Sequence, residues 1–243
     1  MSPEKVPGTL LMVGVRTLGR AIALHFAARG WRVIAAARTR DDVDRLAADV
    51  DAAGGRGVGV VCDLLDRPSL DAVVTAHPTI DLCIAAQTAG GRFGARPLLE
   101  IDDAELERGF NSAVRGSWNL LKAVGPSLIS RGAGTFLQIG TSSGVRTKEG
   151  FAALGANQHA LRALMQVAAR EWRAQGVHVA YLPIDGAIAS DRTRDWLSRN
   201  GADRGISQTE IARACAYLHE QERNSWTHEL VLRPTGGDWT APT

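Results

Sequence analysis

Short apolar runs alternate with amphipathic helical stretches along most of the chain, and this alternation restricts the fold more than any single motif. Residues 9 to 14 (TLLMVG) form an apolar run, and 18 to 29 then carry apolar residues at helical spacing through Ile22, Leu24 and Phe26. The pattern predicts further strands at 32 to 37, 58 to 62 and 80 to 85, with helices near 41 to 53 and 67 to 76. A Gly, Arg and Pro-rich loop (88 to 97) leads to a long helix near 102 to 130 and a strand at 135 to 139. After the loop 140 to 150 come a helix to about 174 and a strand at 177 to 183. The polar stretch 185 to 207 reads as a mobile lid, followed by a helix near 208 to 221 and a last strand, ELVLRP. Buried strands joined by helices require a parallel sheet covered on both faces. The expected fold class is α/β: a doubly wound, three-layer parallel sheet in one domain spanning 1–243, with no repeat or linker.

Charge and cysteine content narrow the partners. With 28 basic and 26 acidic residues the net charge is only +2, and no dense Lys/Arg run with interleaved aromatics suggests a nucleic-acid groove. Cys62, Cys83 and Cys215 are far apart, set among apolar residues, and lack metal-ligand spacing. They read as buried thiols of a reducing compartment, with no metal site expected. The opening MSPEKVPGTLLMVG lacks a signal-peptide pattern and no apolar run is long enough to span a bilayer, so the expectation is a cytoplasmic protein with a small-molecule substrate.

Several phrases taken together, GRAIA at 19 to 23, AAR at 36 to 38, CDL at 62 to 64, RGSWNLLKAV at 115 to 124 and FLQIGTSSG at 136 to 144, resemble the short-chain dehydrogenase/reductase family in order and spacing. The resemblance covers essentially the whole chain and implies a Rossmann-type fold. It also implies a homodimer or homotetramer built on the helices 102 to 130 and 152 to 174. The scaffold is kept where the working residues are not. The family's first turn reads Thr-Gly-x-x-x-Gly-x-Gly, whose glycines admit a pyrophosphate at a helix N-terminus. Here MVGVRTLG leaves Val13 and Thr17 at the first two glycine positions and only Gly19 in place, or else Gly14 serves as the first in a loop one residue shorter. A β-branched residue held at positive φ costs on the order of 1 to 2 kcal/mol. Arg38 closes the second strand where an acidic residue would hold a ribose hydroxyl, and Arg16 lies in the first turn. If a dinucleotide binds, it is NADP(H), held by Gly14, Arg16, Gly19, Arg38 and Asp63; Asp63 reads equally as a loop cap. The family's Asn-Asn-Ala-Gly becomes Ala85, Ala86, Gln87 and Thr88.

The resemblance also implies an Asn, Ser, Tyr, Lys tetrad, and each position is altered. Asn becomes Ala113 and Ser becomes Thr141; thirteen residues later Leu154 stands for Tyr, and Gln158 for Lys. Leu154 cannot donate a proton, and Gln158 supplies no charge to lower a phenol pKa of about 10. Loss of a general acid alone is worth roughly 10²- to 10⁴-fold in rate. Candidate replacements are Thr141, Gln158 and Asp185. Asp185 is either a base whose pKa burial has raised or the start of a turn with Gly186; Thr141 either orients a carbonyl or caps its loop. Leu154, Gln158, Leu161 and Met165 share one helix face, and His159, about 100° away, reads as a packing or subunit-contact residue. Arg92, Arg146, Lys148 and Glu149 border the mouth, and Trp196 lies in the lid.

Three functions follow as expectations. The first is a non-redox enzyme on a small biosynthetic intermediate, such as a cyclase, dehydratase or isomerase, working without a dinucleotide. The second is a non-catalytic binder or partner subunit. The third is an atypical NADP(H)-dependent carbonyl reductase with relocated acid/base groups. Fold alone does not choose among them.

Overall fold

The computed structural model describes residues 7–87 and 95–237. The expected alternation appears as β1 (Thr9–Val13), α1 (Thr17–Ala27), β2 (Arg32–Ala37), α2 (Arg40–Ala52), β3 (Arg56–Val61), α3 (Arg67–Ala76) and β4 (Leu82–Ala85). Then come α4 (Asp103–Gly109), α5 (Gly116–Arg131), β5 (Thr135–Thr141), α6 (Ala152–Trp172) and β6 (His178–Ile184). The strands pair in parallel in the order β3-β2-β1-β4-β5-β6. Successive strand side chains point to opposite faces. Leu10 and Met12 accordingly join one core with Ile22, Phe26, Val43 and Leu46, while Leu11 and Val13 join another with Leu70, Leu120, Leu161 and Met165. Two buried faces make the sandwich three layers thick, a Rossmann-type α/β fold.

The last predicted strand forms as a broken ladder. Tyr181 bridges Glu229 and Ile184 bridges Leu232, both in parallel. Tyr181 N–H donates to His228 O, Leu230 N–H to Tyr181 O, Leu232 N–H to Pro183 O and Asp185 N–H to Leu232 O. The bond missing from this alternation is the one Pro183 would donate, because proline has no N–H.

Two other elements differ from expectation. The long helix predicted over 102 to 130 changes pitch in the middle, where Phe110–Arg115 winds as a π-helix carrying Ala113. The predicted lid has structure of its own: β7 (Ala187–Ile188) pairs in parallel with β8 (Gly205–Ile206), and α7 (Arg194–Asn200) lies between them. Gln208 Nε2 ties the segment down through Ala189 O at 2.7 Å, at the start of α8 (Gln208–Glu220). Cys62, Cys83 and Cys215 are buried free thiols. No helix among the described residues is long and apolar enough to cross a membrane, and no cluster of three metal-ligating side chains occurs among them.

Candidate active site

In a sheet of this kind ligands bind beyond the carboxyl ends of the strands. At the end of β1, Gly14 takes φ +87°, and a Cβ there would lie 2.6 Å from the Ala86 backbone. A Cβ on Gly19 would stand 1.7 Å from Gly14 O. Both glycines are therefore needed to close α1 onto β1 and the end of β4. Helix α1 starts at Thr17, after Gly14, Val15 and Arg16. Thr17 opens the helix at φ +28°, the left-handed region that a β-branched residue avoids. Arg16 and Arg38 are exposed, and Asp63 accepts a hydrogen bond from Leu65 N–H at 3.0 Å, the turn-capping alternative.

Beyond β4 a polar chain runs into the core. Gln138 Nε2 donates to Ala85 O and Ile139 O, so its Oε1 accepts from Ser117 Oγ at 2.9 Å. Ser117 in turn accepts from Gln87 Nε2 at 2.7 Å. Ala113 is buried. Thr88 and Arg92 lie outside the described residues.

The end of β5 and the face of α6 meet, bringing two of the candidate residues together. Thr141 N–H donates to Gln158 Oε1 at 3.1 Å, and the Thr141 hydroxyl accepts from Ser143 N–H at 3.2 Å, as a loop cap does. Gln158, Leu161 and Met165 are buried along one stripe of α6, with Leu154 half-buried at its start. Behind them stands Tyr181, which sequence reasoning did not single out; its hydroxyl donates to Gln158 Oε1 at 3.4 Å. Burial pushes the Tyr181 phenol pKa up, outweighing the favourable Thr141 backbone contact. A Cβ at Gly140 or Gly144 would fall within 2.2 or 2.6 Å of that hydroxyl. The two glycines of FLQIGTSSG thus leave room for the ring, a signal readable only once Tyr181 is known to face them.

Asp185 corrects one expectation. Burial does act on its carboxyl, as the largest single influence, and opposes ionisation. Hydrogen bonds from Ser142, Arg146 and Arg233 together outweigh burial and hold the pKa below the ordinary carboxylate value. Arg146 Nη2 and Arg233 Nε each reach Asp185 Oδ2 at 2.6 Å, with the three side chains 14%, 5% and 7% exposed in the order Arg146, Arg233, Asp185. The carboxylate is therefore ionised and clamped rather than a base of raised pKa. Arg146, expected to border the mouth, serves this clamp.

The remaining candidates are peripheral. His159 is exposed and contacts Gly155 O through Nδ1 at 2.9 Å. Lys148 and Glu149 are exposed, as is Trp196 on α7. An open groove of about 550 Å³ lies on another face, between α4, the π-turn and α6, lined by Leu106, Phe110, Asn111 and Asn157 among others.

Comparison with known proteins agrees with the fold. The family model for short chain dehydrogenases matches residues 9–199. An uncharacterised oxidoreductase of Listeria monocytogenes is 23% identical over 235 residues, covering 91% of this chain and 94% of its own. A galactitol 2-dehydrogenase (L-tagatose-forming) of Cereibacter sphaeroides is 27% identical over 232 residues, 90% of each chain. A metagenomic short-chain oxidoreductase crystallised with NADP superposes with a TM-score of 0.77 at 26% identity, covering 94% of this chain and 97% of its own. With its sheet order and a family match over residues 9–199, the chain belongs to the short-chain dehydrogenase family.

Proposed function

We propose that this chain is a degenerate, non-redox member of the family, an enzyme that binds a small biosynthetic intermediate bearing a carbonyl group. The reading is carried by the pair Leu154 and Gln158: an apolar side chain stands where the family has its proton donor, and a neutral amide tied to Thr141 stands where it has lysine. The chain has two tyrosines, and neither replaces the donor. Tyr181 is buried behind Gln158, and Tyr217 is exposed on α8, away from the strand ends. Thr141, Gln158 and Asp185 are the proposed site residues: the first two as neutral hydrogen-bonding groups, Asp185 as the anchor of Arg146 and Arg233. Of a cyclase, a dehydratase and an isomerase, ring closure fits best, because dehydration and isomerisation rely on a proton carrier tuned near neutral pH. A templating cleft speeds closure by holding the reacting ends together.

A nicotinamide dinucleotide fits poorly. The glycine that lets a pyrophosphate approach the backbone has its place taken by Thr17, a β-branched residue at φ +28°. Gly14 and Gly19 are committed to packing, Asp63 to its own turn, and no lysine stands at position 158 to hold a ribose. Arg16 and Arg38 are the remaining support for NADP(H). No step of the proposed chemistry passes through a dinucleotide.

The non-catalytic binder is the second reading, favoured by the Asp185 clamp, which leaves that carboxylate no proton to exchange near neutrality. Segment 185–207, braced by the β7 and β8 pair, is read as the cover of the cleft. Exposed Leu106, Phe110, Trp118 and Val167 on or between α4, α5 and α6 support a homodimer or homotetramer through those helices. The buried thiols support a cytoplasmic location. Calorimetric titration with NADPH and NADH, each to millimolar concentration, tests the non-redox reading. The expected result is no binding tighter than millimolar; micromolar NADPH binding overturns it in favour of the reductase.

A further inference from the structure

Gln158 is 2% exposed, and both ends of its amide have a defined direction. A backbone N–H can only donate, so the bond from Thr141 N fixes which end of the amide is oxygen. Tyr181 donates to the same oxygen, and two donors fill the lone pairs of an sp² acceptor. The Nε2 group, with its two N–H bonds, points the other way and meets no acceptor among the described residues. Leu154, one turn earlier on the same face, makes the adjoining surface apolar.

We infer that Gln158 Nε2 is the group with which the cleft recognises its ligand, a neutral molecule that presents a carbonyl oxygen from an apolar body, and that Tyr181 is the residue that positions it. This rests on the reading of the cleft as a carbonyl site and assigns the contact within it. An ammonium at this position would favour anions as well. An uncharged amide next to a leucine favours a carbonyl whose surroundings are apolar. Tyr181 touches no ligand: it is fully buried in the slot left by Gly140 and Gly144, and it acts by occupying Oε1 so that the amide cannot turn over.

The test uses the ¹⁵N-labelled full chain, with the Gln158 side-chain amide signals identified by their loss in Gln158→Glu. Cyclohexanone is the probe, and methylenecyclohexane, of the same shape without an acceptor oxygen, is the control. Cyclohexanone is expected to move the Gln158 amide protons downfield and methylenecyclohexane to leave them in place. An unmoved pair at the solubility limit of the ketone, or equal movement with both probes, overturns the inference. Tyr181→Phe should keep the backbone spectrum, shift the free amide pair toward the position of an exposed glutamine, and weaken cyclohexanone binding about fivefold, the worth of one net hydrogen bond. A Tyr181→Phe protein with an unchanged pair and unchanged ketone response removes Tyr181 from the assignment. Should that variant fail to fold, Gln158→Asn keeps the amide and withdraws it by one methylene, and its undiminished ketone response overturns the inference equally. Spectra with NADPH added separate this from the wider reading. A micromolar NADPH response beside an intact ketone response sinks the non-redox function and leaves the role of Gln158 standing.

Discussion

The two halves of the sheet end differently at their carboxyl edge. At β1 and β2 the polar side chains Arg16 and Arg38 are exposed, and the constraint is carried by backbone: Gly14 and Gly19 packed without room for a Cβ, and Thr17 at a strained φ. At β5, β6 and the last ladder the constraint is carried by buried polar side chains, with Asp185 held by Arg146 and Arg233 and Gln158 held by Thr141 and Tyr181. A packed turn excludes ligands by shape, whereas a buried polar network fixes the direction of each donor and acceptor. The second edge is thus the one whose donors and acceptors are fixed in direction.

The largest test of this contrast is Asp185→Ala. It leaves two guanidinium groups nearly buried without their carboxylate, and breaking a buried pair from one side costs about 3 to 5 kcal/mol. Urea unfolding should register that loss, and a loss below about 1 kcal/mol would mean the clamp is hydrated and the two edges are alike. The same variant predicts a change with pH. The folded Asp185 titrates below its ordinary value of 3.8, so its stabilisation is complete above that value and disappears as the pH falls through the lower folded pKa. Glu229, held low chiefly by its hydrogen bond from Arg162, behaves in the same direction. Wild type should therefore lose stability more steeply than Asp185→Ala below about pH 4.

A smaller loss is expected from Gly140→Ala. Its Cβ would meet the Tyr181 ring at 2.2 Å, and overpacking of this kind costs about 1 to 3 kcal/mol. Its urea midpoint should fall accordingly while Gly54→Ala, with open space around it but φ +90°, falls only by its backbone strain. Equal losses would show that the slot around Tyr181 yields freely.

These expectations also mark what could be read from the chain alone. Strands and helices were legible because apolar spacing is local: the run 9 to 14 became Thr9–Val13, and the run 32 to 37 became Arg32–Ala37. Thr141 and Gln158 could be singled out because both sit at fixed distances from recognisable phrases, although the contact between them was not predicted. The state of Asp185 was not, since its partners lie 39 and 48 residues away and no local pattern couples them. Tyr181 was hidden for a related reason. All seven residues of β6 are buried, so alternation does not single out the one whose polar end meets the site. The π-turn at Phe110–Arg115 changes pitch without interrupting the helical pattern of the sequence.

The smallest effect, and the one of opposite sign, belongs to the first edge. Thr17→Gly removes a left-handed penalty of about 1 to 2 kcal/mol, and gives back about 0.5 to 1 kcal/mol through the greater freedom of glycine in the unfolded chain. The net expectation is a gain of about 0.5 to 1 kcal/mol, a rise of roughly 1 to 4 °C in Tm for a chain of this size. The substitution also clears the Cβ from the turn, so repeating the NADPH titration on this variant asks whether the backbone alone bars the dinucleotide. A gain in stability with NADPH still unbound means that the first edge lacks more than one glycine, and that the altered residues at the second edge contribute to the exclusion. A stabilised variant that binds NADPH at micromolar levels means that Thr17 by itself separates the two edges. Destabilisation would mean that Thr17 makes contacts worth more than its strain, and that the first edge, like the second, depends on side chains.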